Sequence, residues 1–139
     1  MIIGVGTDIV AVARIGQILH RRGERFLQRV LAVGERASFD AVAARDRPRW
    51  LAKRWAAKEA FGKAFGTGIA APLTFAGIAT DHDADGRPYL MLSPVIEEYL
   101  ARRGVARCHL SLSDETDYAL AFVILEGYSG QAALQMRHA

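Results

Sequence analysis

Cysteine is almost missing from this chain of 139 residues; Cys108 stands alone. One cysteine makes no internal disulfide and is too few for a cysteine-built zinc site, which fits a reducing compartment. Its expected place is the core, as a small apolar side chain. No stretch reaches the roughly 18 apolar residues of a membrane-spanning helix, and the N-terminus shows no basic region leading into an apolar run and a cleavage site. The expectation is a soluble, cytoplasmic protein with no membrane partner. Internal repeats and low-complexity segments are absent too, which excludes repeat arrays. Charge of one sign is in small excess only, 18 Lys and Arg against 15 Asp and Glu for a net +3, and that balance names no partner. What is present is a hydrophobic fraction of 51%, in a chain long enough to bury about two thirds of its unfolded surface. Disorder is excluded for most of it. One domain over residues 1–139 is expected, with a frayed tail over 129–139.

The pattern mixes strands and helices without a regular βαβ alternation, so the expected class is α+β, a small mixed sheet with packed helices. Residues 2 to 12, β-branched and glycine-bearing, read as a strand. Apolar residues recur at helical spacing from about Arg14 to Ala32, with a break expected at Gly23, and a short helical piece follows over 35–44. Pro48 opens the strongest helix, about 49–65, and Gly66 closes it. Strands over 75–81 and 87–93 flank a turn at Asp83-Ala84-Asp85-Gly86. Ser93 is the expected cap of a helix from Pro94 to near Gly104. Residues 107–113 and 118–126 form a second hairpin, and the latter strand, apolar on both faces, belongs in the middle of a sheet.

Three segments carry chemistry. In the first strand, alternation puts Gly4, Gly6 and Asp8 on one face, where bare backbone admits a close neighbour and a carboxylate can reach a cation. The plainer account is a solvent-facing Asp on a strand that packs tightly against a helix. In the long helix, Ala52, Ala56, Glu59, Lys63 and Gly66 line one stripe and Trp50, Ala57, Phe61 and Phe65 another. Glu59 and Lys63 suit an exposed i,i+4 ion pair, yet the small residues beside them suit a face approached by another backbone or a ligand. Gly66-Thr67-Gly68 then offers either a simple cap or amides for phosphate oxygens. In the last hairpin His109, Ser111 and Ser113 share one face, a ligand-capable row or an ordinary exposed sheet face.

Several motifs fail. Gly4-Val5-Gly6 lacks the third glycine of a dinucleotide fingerprint, Gly62-Lys63 is followed by Ala64 where a P-loop needs Ser or Thr, and the Asp81, Asp83, Asp85 series has Leu92 where a calcium loop needs Glu. Nothing singles out a hydrolytic triad. Arg14, Arg21, Arg22, Arg25 and Arg29 form a basic side suited to an acidic partner, or a solvated helix face; interleaved exposed aromatics, which nucleic acid would favour, are lacking there.

The run Gly6-Thr7-Asp8-Ile9-Val10 with Arg14, then Trp55-Ala56-Ala57-Lys58-Glu59-Ala60-Phe61 continuing to Lys63-Ala64-Phe65-Gly66-Thr67-Gly68-Ile69, then His109-Leu110-Ser111-Leu112-Ser113-Asp114, resembles the holo-acyl-carrier-protein synthase family. These are the short 4'-phosphopantetheinyl transferases. The resemblance spans about residues 2–126 and leaves the tail uncovered. It implies that the phosphopantetheine arm of coenzyme A is moved to a serine of apo acyl carrier protein, releasing adenosine 3',5'-bisphosphate, with magnesium as cofactor, in fatty acid or polyketide biosynthesis. It further implies a homotrimer with active sites between subunits and no role for nucleic acid. By the same resemblance Asp8 and Glu59 are the magnesium ligands, and Lys63 is the lysine at the pyrophosphate. His109, Gly66 and Thr67 would bind the coenzyme. Arg14, Arg21 and Arg25 would face the acidic helix of the carrier protein. Bulky Trp55 and Phe65, and Gly62 with its low helix propensity, depart from the pattern. Two other readings stay open on the residues alone: an RNA-binding basic module using Arg14 to Arg29, and a different magnesium-dependent nucleotide enzyme needing no carrier protein.

Overall fold

The computed structural model describes residues 1–129. The expected fraying of 129–139 falls, but for Ser129, outside the described residues. Strand β1 (Ile2–Ala11) leads into helices α1 (Val12–Arg22), α2 (Glu24–Val30) and α3 (Val33–Ala41). A 3-10 turn at Ala44–Asp46 precedes α4 (Arg47–Phe65), and another at Phe75–Gly77 precedes the hairpin β2 (Ile78–His82) and β3 (Pro88–Leu92). Helix α5 (Pro94–Arg102) and the hairpin β4 (Val105–Asp114), β5 (Tyr118–Gly127) complete the described residues. The α+β class is as expected, with antiparallel pairing in both sheets: β1-β5-β4 and β2-β3. Strand β5 is central, as its two apolar faces require.

Local chemistry accounts for the boundaries. Gly23 takes φ 48 and separates α1 from α2, and Gly66 takes φ 89 and ends α4, both conformations that favour glycine. Pro48 sits in the first turn of α4. In the β2–β3 turn Asp83 Oδ1 accepts the amides of Asp85 (3.0 Å) and Arg87 (2.8 Å). Two expectations shift. The first strand of that hairpin begins at Ile78, three residues late, because the Thr74 hydroxyl accepts the Gly77 amide (3.0 Å) and winds Phe75–Gly77 into a 3-10 turn. Ser93 stands at the N-cap of α5, but its side chain makes no capping bond.

The core is built around α4. Leu51, Ala52, Ala56, Ala57, Ala60, Phe61, Ala64 and Phe65 are all buried on it. The helix is thus enclosed on nearly every side, where the sequence suggested one apolar and one open small-residue stripe. It crosses the inner face of the three-stranded sheet at backbone distance: a Cβ on Gly4 would overlap the Ala64 carbonyl, and one on Gly6 the Ala60 carbonyl and Ala64 amide. The small residues that permit this approach are Ala60 and Ala64, one position along from the stripe through Ala56 and Glu59. Among the described residues no helix is long and apolar enough to cross a membrane.

On the other side of α4 lies a buried ion pair. Lys58 (0% exposed) donates from Nζ to Glu35 Oε2 at 2.6 Å, to the Val30 carbonyl and to the Phe75 carbonyl at 3.0 Å. Glu35 (3% exposed) also accepts the amides of Ala32 (3.0 Å) and Thr80 (2.9 Å). Five chain segments meet at these two side chains. Burial pulls the Lys58 ammonium below the ordinary lysine range, and the Glu35 carboxylate opposes that shift. Lys58→Met leaves Glu35 buried without its cation, and urea unfolding should show a loss of about 3–5 kcal/mol. Arg36→Met, which breaks the exposed contacts of Arg36 with Glu24 and Asp40, should cost under about 1 kcal/mol. Equal losses would remove the central role given to the buried pair.

Candidate active site

Strand alternation carries Asp8 onto the same face as Gly4 and Gly6, so the carboxylate projects where α4 crosses the sheet. Glu59 and Lys63, one turn apart on α4, reach that crossing from the helix side. Lys63 Nζ donates to Asp8 Oδ1 at 2.8 Å and to the Thr7 carbonyl at 3.0 Å. Of the two readings of this face, the i,i+4 pair of Glu59 with Lys63 gives way to one between helix and strand. Asp8 is largely sheltered, 14% exposed at its side chain, whereas Lys63 is 51% exposed. Burial foremost, and then the charge of Asp8, push the half-buried Glu59 carboxyl above the ordinary range; Lys63 and Arg14 pull it back. Asp8, Glu59, Lys63 and Arg14 are thus brought within electrostatic reach of one another.

Among the described residues no group of three or more His, Cys, Asp or Glu side chains gathers around one point. A cation at this crossing therefore has two carboxylates, Asp8 and Glu59. That donor set suits magnesium, which takes one or two carboxylates and fills its other positions with phosphate oxygens and water. The like-charge repulsion felt by Glu59 is what a divalent cation relieves, so the residues present fit the ion.

Next to Lys63 the chain folds back on itself. The Gly66 amide donates to the carbonyls of Gly62 (3.1 Å) and Lys63 (3.0 Å), and the Gly68 amide to Gly62 (3.0 Å). Of the three amides in Gly66-Thr67-Gly68, two are spent on the helix end, and Thr67 holds the remaining one. Its hydroxyl donates to the Gly68 carbonyl at 3.0 Å. Gly62, unfavourable for a helix, has its reason here: a Cβ at that position would meet the Gly68 carbonyl carbon at 2.8 Å.

His109 is not part of this cluster within one chain. It lies on β4 opposite Ile124, on the outer face of the sheet, while Asp8 faces inward opposite Ala121. Its Nε2 is 2.8 Å from Glu126 Oε2, a hydrogen bond that holds the Glu126 carboxyl below the usual range. Ser111 and Ser113 share this outer face and lie opposite Phe122 and Leu120. Cys108, on the inner face, is partly buried, and burial pushes its thiol up to about 12.

The basic residues divide between Arg14 and the other four. Arg21, Arg22, Arg25 and Arg29 rim a groove whose floor is Ile18, Phe26, Val30, Trp55 and Phe75. Trp55 stacks on Phe75 with ring centres 4.8 Å apart and leans on Phe26 at 6.0 Å. Arg14 stands apart from the groove, close enough to Glu59 for its charge to act there. The apolar floor escaped the reading of the arginines as a charge run. Its signal was present, since Ile18 and Phe26 interrupt the arginines and Trp55 precedes Glu59 by one turn.

The description 4'-phosphopantetheinyl transferase superfamily matches residues 4–123. The holo-[acyl-carrier-protein] synthase of Aromatoleum aromaticum is 51% identical over 126 residues, covering 91% of this chain and 98% of that protein. The crystal structure of the holo-[acyl-carrier-protein] synthase from Neisseria meningitidis superposes with a TM-score of 0.86 at 43% identity, over 91% of this chain and 99% of that one. That of Bacillus anthracis, in complex with CoA (3',5'-ADP), superposes with a TM-score of 0.77 at 34% identity, over 92% and 99%.

The electrostatics of the crossing are open to direct measurement. In Asp8→Asn the like charge beside Glu59 is gone, so the Glu59 titration followed by carbon NMR should move down toward the ordinary carboxylate range. An unmoved midpoint would mean that the two carboxylates do not share a site.

Proposed function

The chain belongs to the 4'-phosphopantetheinyl transferase superfamily, and we propose that its chemistry is carried by Asp8, Glu59 and Lys63 where α4 crosses β1. The reaction is transfer of the 4'-phosphopantetheine group of coenzyme A to a serine of apo acyl carrier protein, giving the holo carrier and adenosine 3',5'-bisphosphate, in fatty acid biosynthesis. The bond formed joins the serine oxygen to the β-phosphorus, the bond broken is the pyrophosphate P–O bond that frees the bisphosphate, and the serine proton is released to solvent. Asp8 and Glu59 would hold magnesium, which when bound neutralises pyrophosphate charge. Lys63, half exposed beside them, is placed to meet the negative charge that gathers on the leaving bisphosphate. Thr67, with its uncommitted amide next to Lys63, supports a place for the Gly66-Thr67 turn in the coenzyme pocket. A single cysteine and no membrane-length helix among the described residues agree with a cytoplasmic enzyme.

The groove rimmed by Arg21, Arg22, Arg25 and Arg29 fits an acidic helix that also presents apolar side chains, the arginines setting association rate and partner choice and the aromatic floor holding what arrives. Arg14, on α1 with Arg21 and Arg22, is close enough to Glu59 for its charge to act there, and would meet the carrier protein beside the carboxylates.

The outer face of the β1-β5-β4 sheet supports assembly into the trimer. Val5 (53% exposed), Ile9 (61%), Leu120 (37%) and Phe122 (38%) form a continuous apolar surface there. Burying that face against further copies would bring His109, which lies on it, to a subunit interface, as an active site shared between subunits requires.

Intact mass spectrometry of apo acyl carrier protein after incubation with coenzyme A and magnesium should show the gain of one phosphopantetheine, lost on adding a chelator. Asp8→Ala and Glu59→Ala should each lower turnover by about 100-fold or more without loss of folding; near-normal turnover in either removes it from the site. In the same assay Arg21→Glu with Arg25→Glu should raise KM for the carrier and flatten its salt dependence with kcat kept. Light scattering should give three times the 15.2 kDa of one chain, and Phe122→Lys a smaller mass; a monomeric parent protein would overturn the intersubunit site.

A further inference from the structure

Lys63 has two duties at one carboxylate, and they conflict. Its ammonium is fixed at two points, Asp8 Oδ1 at 2.8 Å and the Thr7 carbonyl at 3.0 Å, so it covers an oxygen that a metal ion would use. The charges that meet at the crossing are Asp8 and Glu59 against Lys63 and Arg14, and they cancel. A divalent cation entering a neutral cluster gains little until a positive charge departs. Lys63 is the one whose departure frees an Asp8 oxygen, since its ammonium is the cation bonded there, and a pyrophosphate arriving beside its half-exposed side chain is a stronger anionic partner than one carboxylate.

We propose that Lys63 is a built-in competitor of the metal, holding Asp8 in the free enzyme and releasing it when a pyrophosphate-bearing ligand draws the ammonium away. Metal and coenzyme then bind as a coupled pair, each raising the affinity for the other. The free enzyme holds the ion weakly, and a tight site forms only with substrate in place. This rests on the reading of Asp8 and Glu59 as metal ligands, and it gives Lys63 a role before the chemical step.

The test is a manganese titration of the whole protein followed by electron paramagnetic resonance, without and then with coenzyme A. Lys63→Gln without coenzyme should hold manganese about three- to tenfold more tightly than the parent, because one competing charge is gone. Lys63→Met, whose side chain offers a cation no oxygen, should repeat the gain. Adding coenzyme A should tighten manganese more in the parent than in either variant. Asp8→Asn should lose the site in every case. An affinity in both Lys63 variants equal to or weaker than the parent's, with Asp8→Asn still deficient, overturns the competitor role and leaves the metal ligands standing. If the parent and Lys63 variants hold no manganese even with coenzyme A, or Asp8→Asn binds it as the parent does, the metal reading itself fails and the competitor role with it.

Discussion

Helix α4 rests on strand β1 with nothing between the two backbones, and the rest of the molecule is arranged around that contact. Gly4 and Gly6 lack the Cβ atoms that would strike the carbonyls of Ala64 and Ala60, and the alanines keep the helix side equally bare. The close approach decides the chemistry. With two more atoms of side chain between them, helix and strand would stand apart, and Asp8 would fall out of reach of Lys63, to which it is now bonded at 2.8 Å. Strand periodicity makes the residue two beyond Gly6 face the same helix, and helix periodicity places Glu59 and Lys63 together on one flank of Ala60 and Ala64. One packing contact thus brings together three charged groups from two separate elements. Rigid elements hold such groups more closely than loops do.

The opposite flank of α4 is held by different means. Lys58 adjoins Glu59 in sequence, and one helical step turns it from the site into the interior, where its ammonium bonds Glu35 and two carbonyls. Glu35 in turn takes the amides of Ala32 and Thr80. A buried pair gains little over apolar packing of the same volume. Its directional bonds, however, tie the end of α2, the start of α3 and strand β2 to one helix face, and apolar contact does not fix register in that way. The groove depends on this tie, because Val30 and Phe75, whose carbonyls Lys58 holds, also line its floor. The segment Lys58-Glu59 therefore divides its work, one residue ordering the arginine-rimmed groove and the next facing the crossing with β1.

Much of this was legible in the sequence where a residue type has one physical use. Pro48 and Gly66 marked the ends of α4, Gly23 the break after α1 and Gly86 the hairpin turn, because proline fixes φ and glycine alone takes positive φ at no cost. Alternation gave the face shared by Gly4, Gly6 and Asp8. Partners of long side chains were not legible. Lys58 and Lys63 flank Glu59 in one short run, and nothing local says that one is sealed in the core while the other crosses to a strand more than fifty residues earlier in the chain. Nor does anything local mark Glu35, at the start of a short helical piece, as the buried partner of Lys58. The arginines read as a charge run because the aromatic floor beneath them comes from three separate segments.

The two faces of the three-stranded sheet differ in what covers them. Central strand β5 is apolar on both sides, and only one side is covered by α4; Leu120 and Phe122 on the other stay open, continuous with Val5 and Ile9. A lone chain with such a face carries a standing reason to associate. His109 lies on that face and Asp8 on its reverse, so a sheet stands between them within any one copy. If both serve one coenzyme, they come from different copies, and the apolar face that drives association is the surface that delivers the histidine. Assembly and catalysis would then be coupled through the pattern of a single strand: inward-facing Ala119 and Ala121 leave room for α4, and outward-facing Leu120 and Phe122 offer an apolar surface to a neighbour.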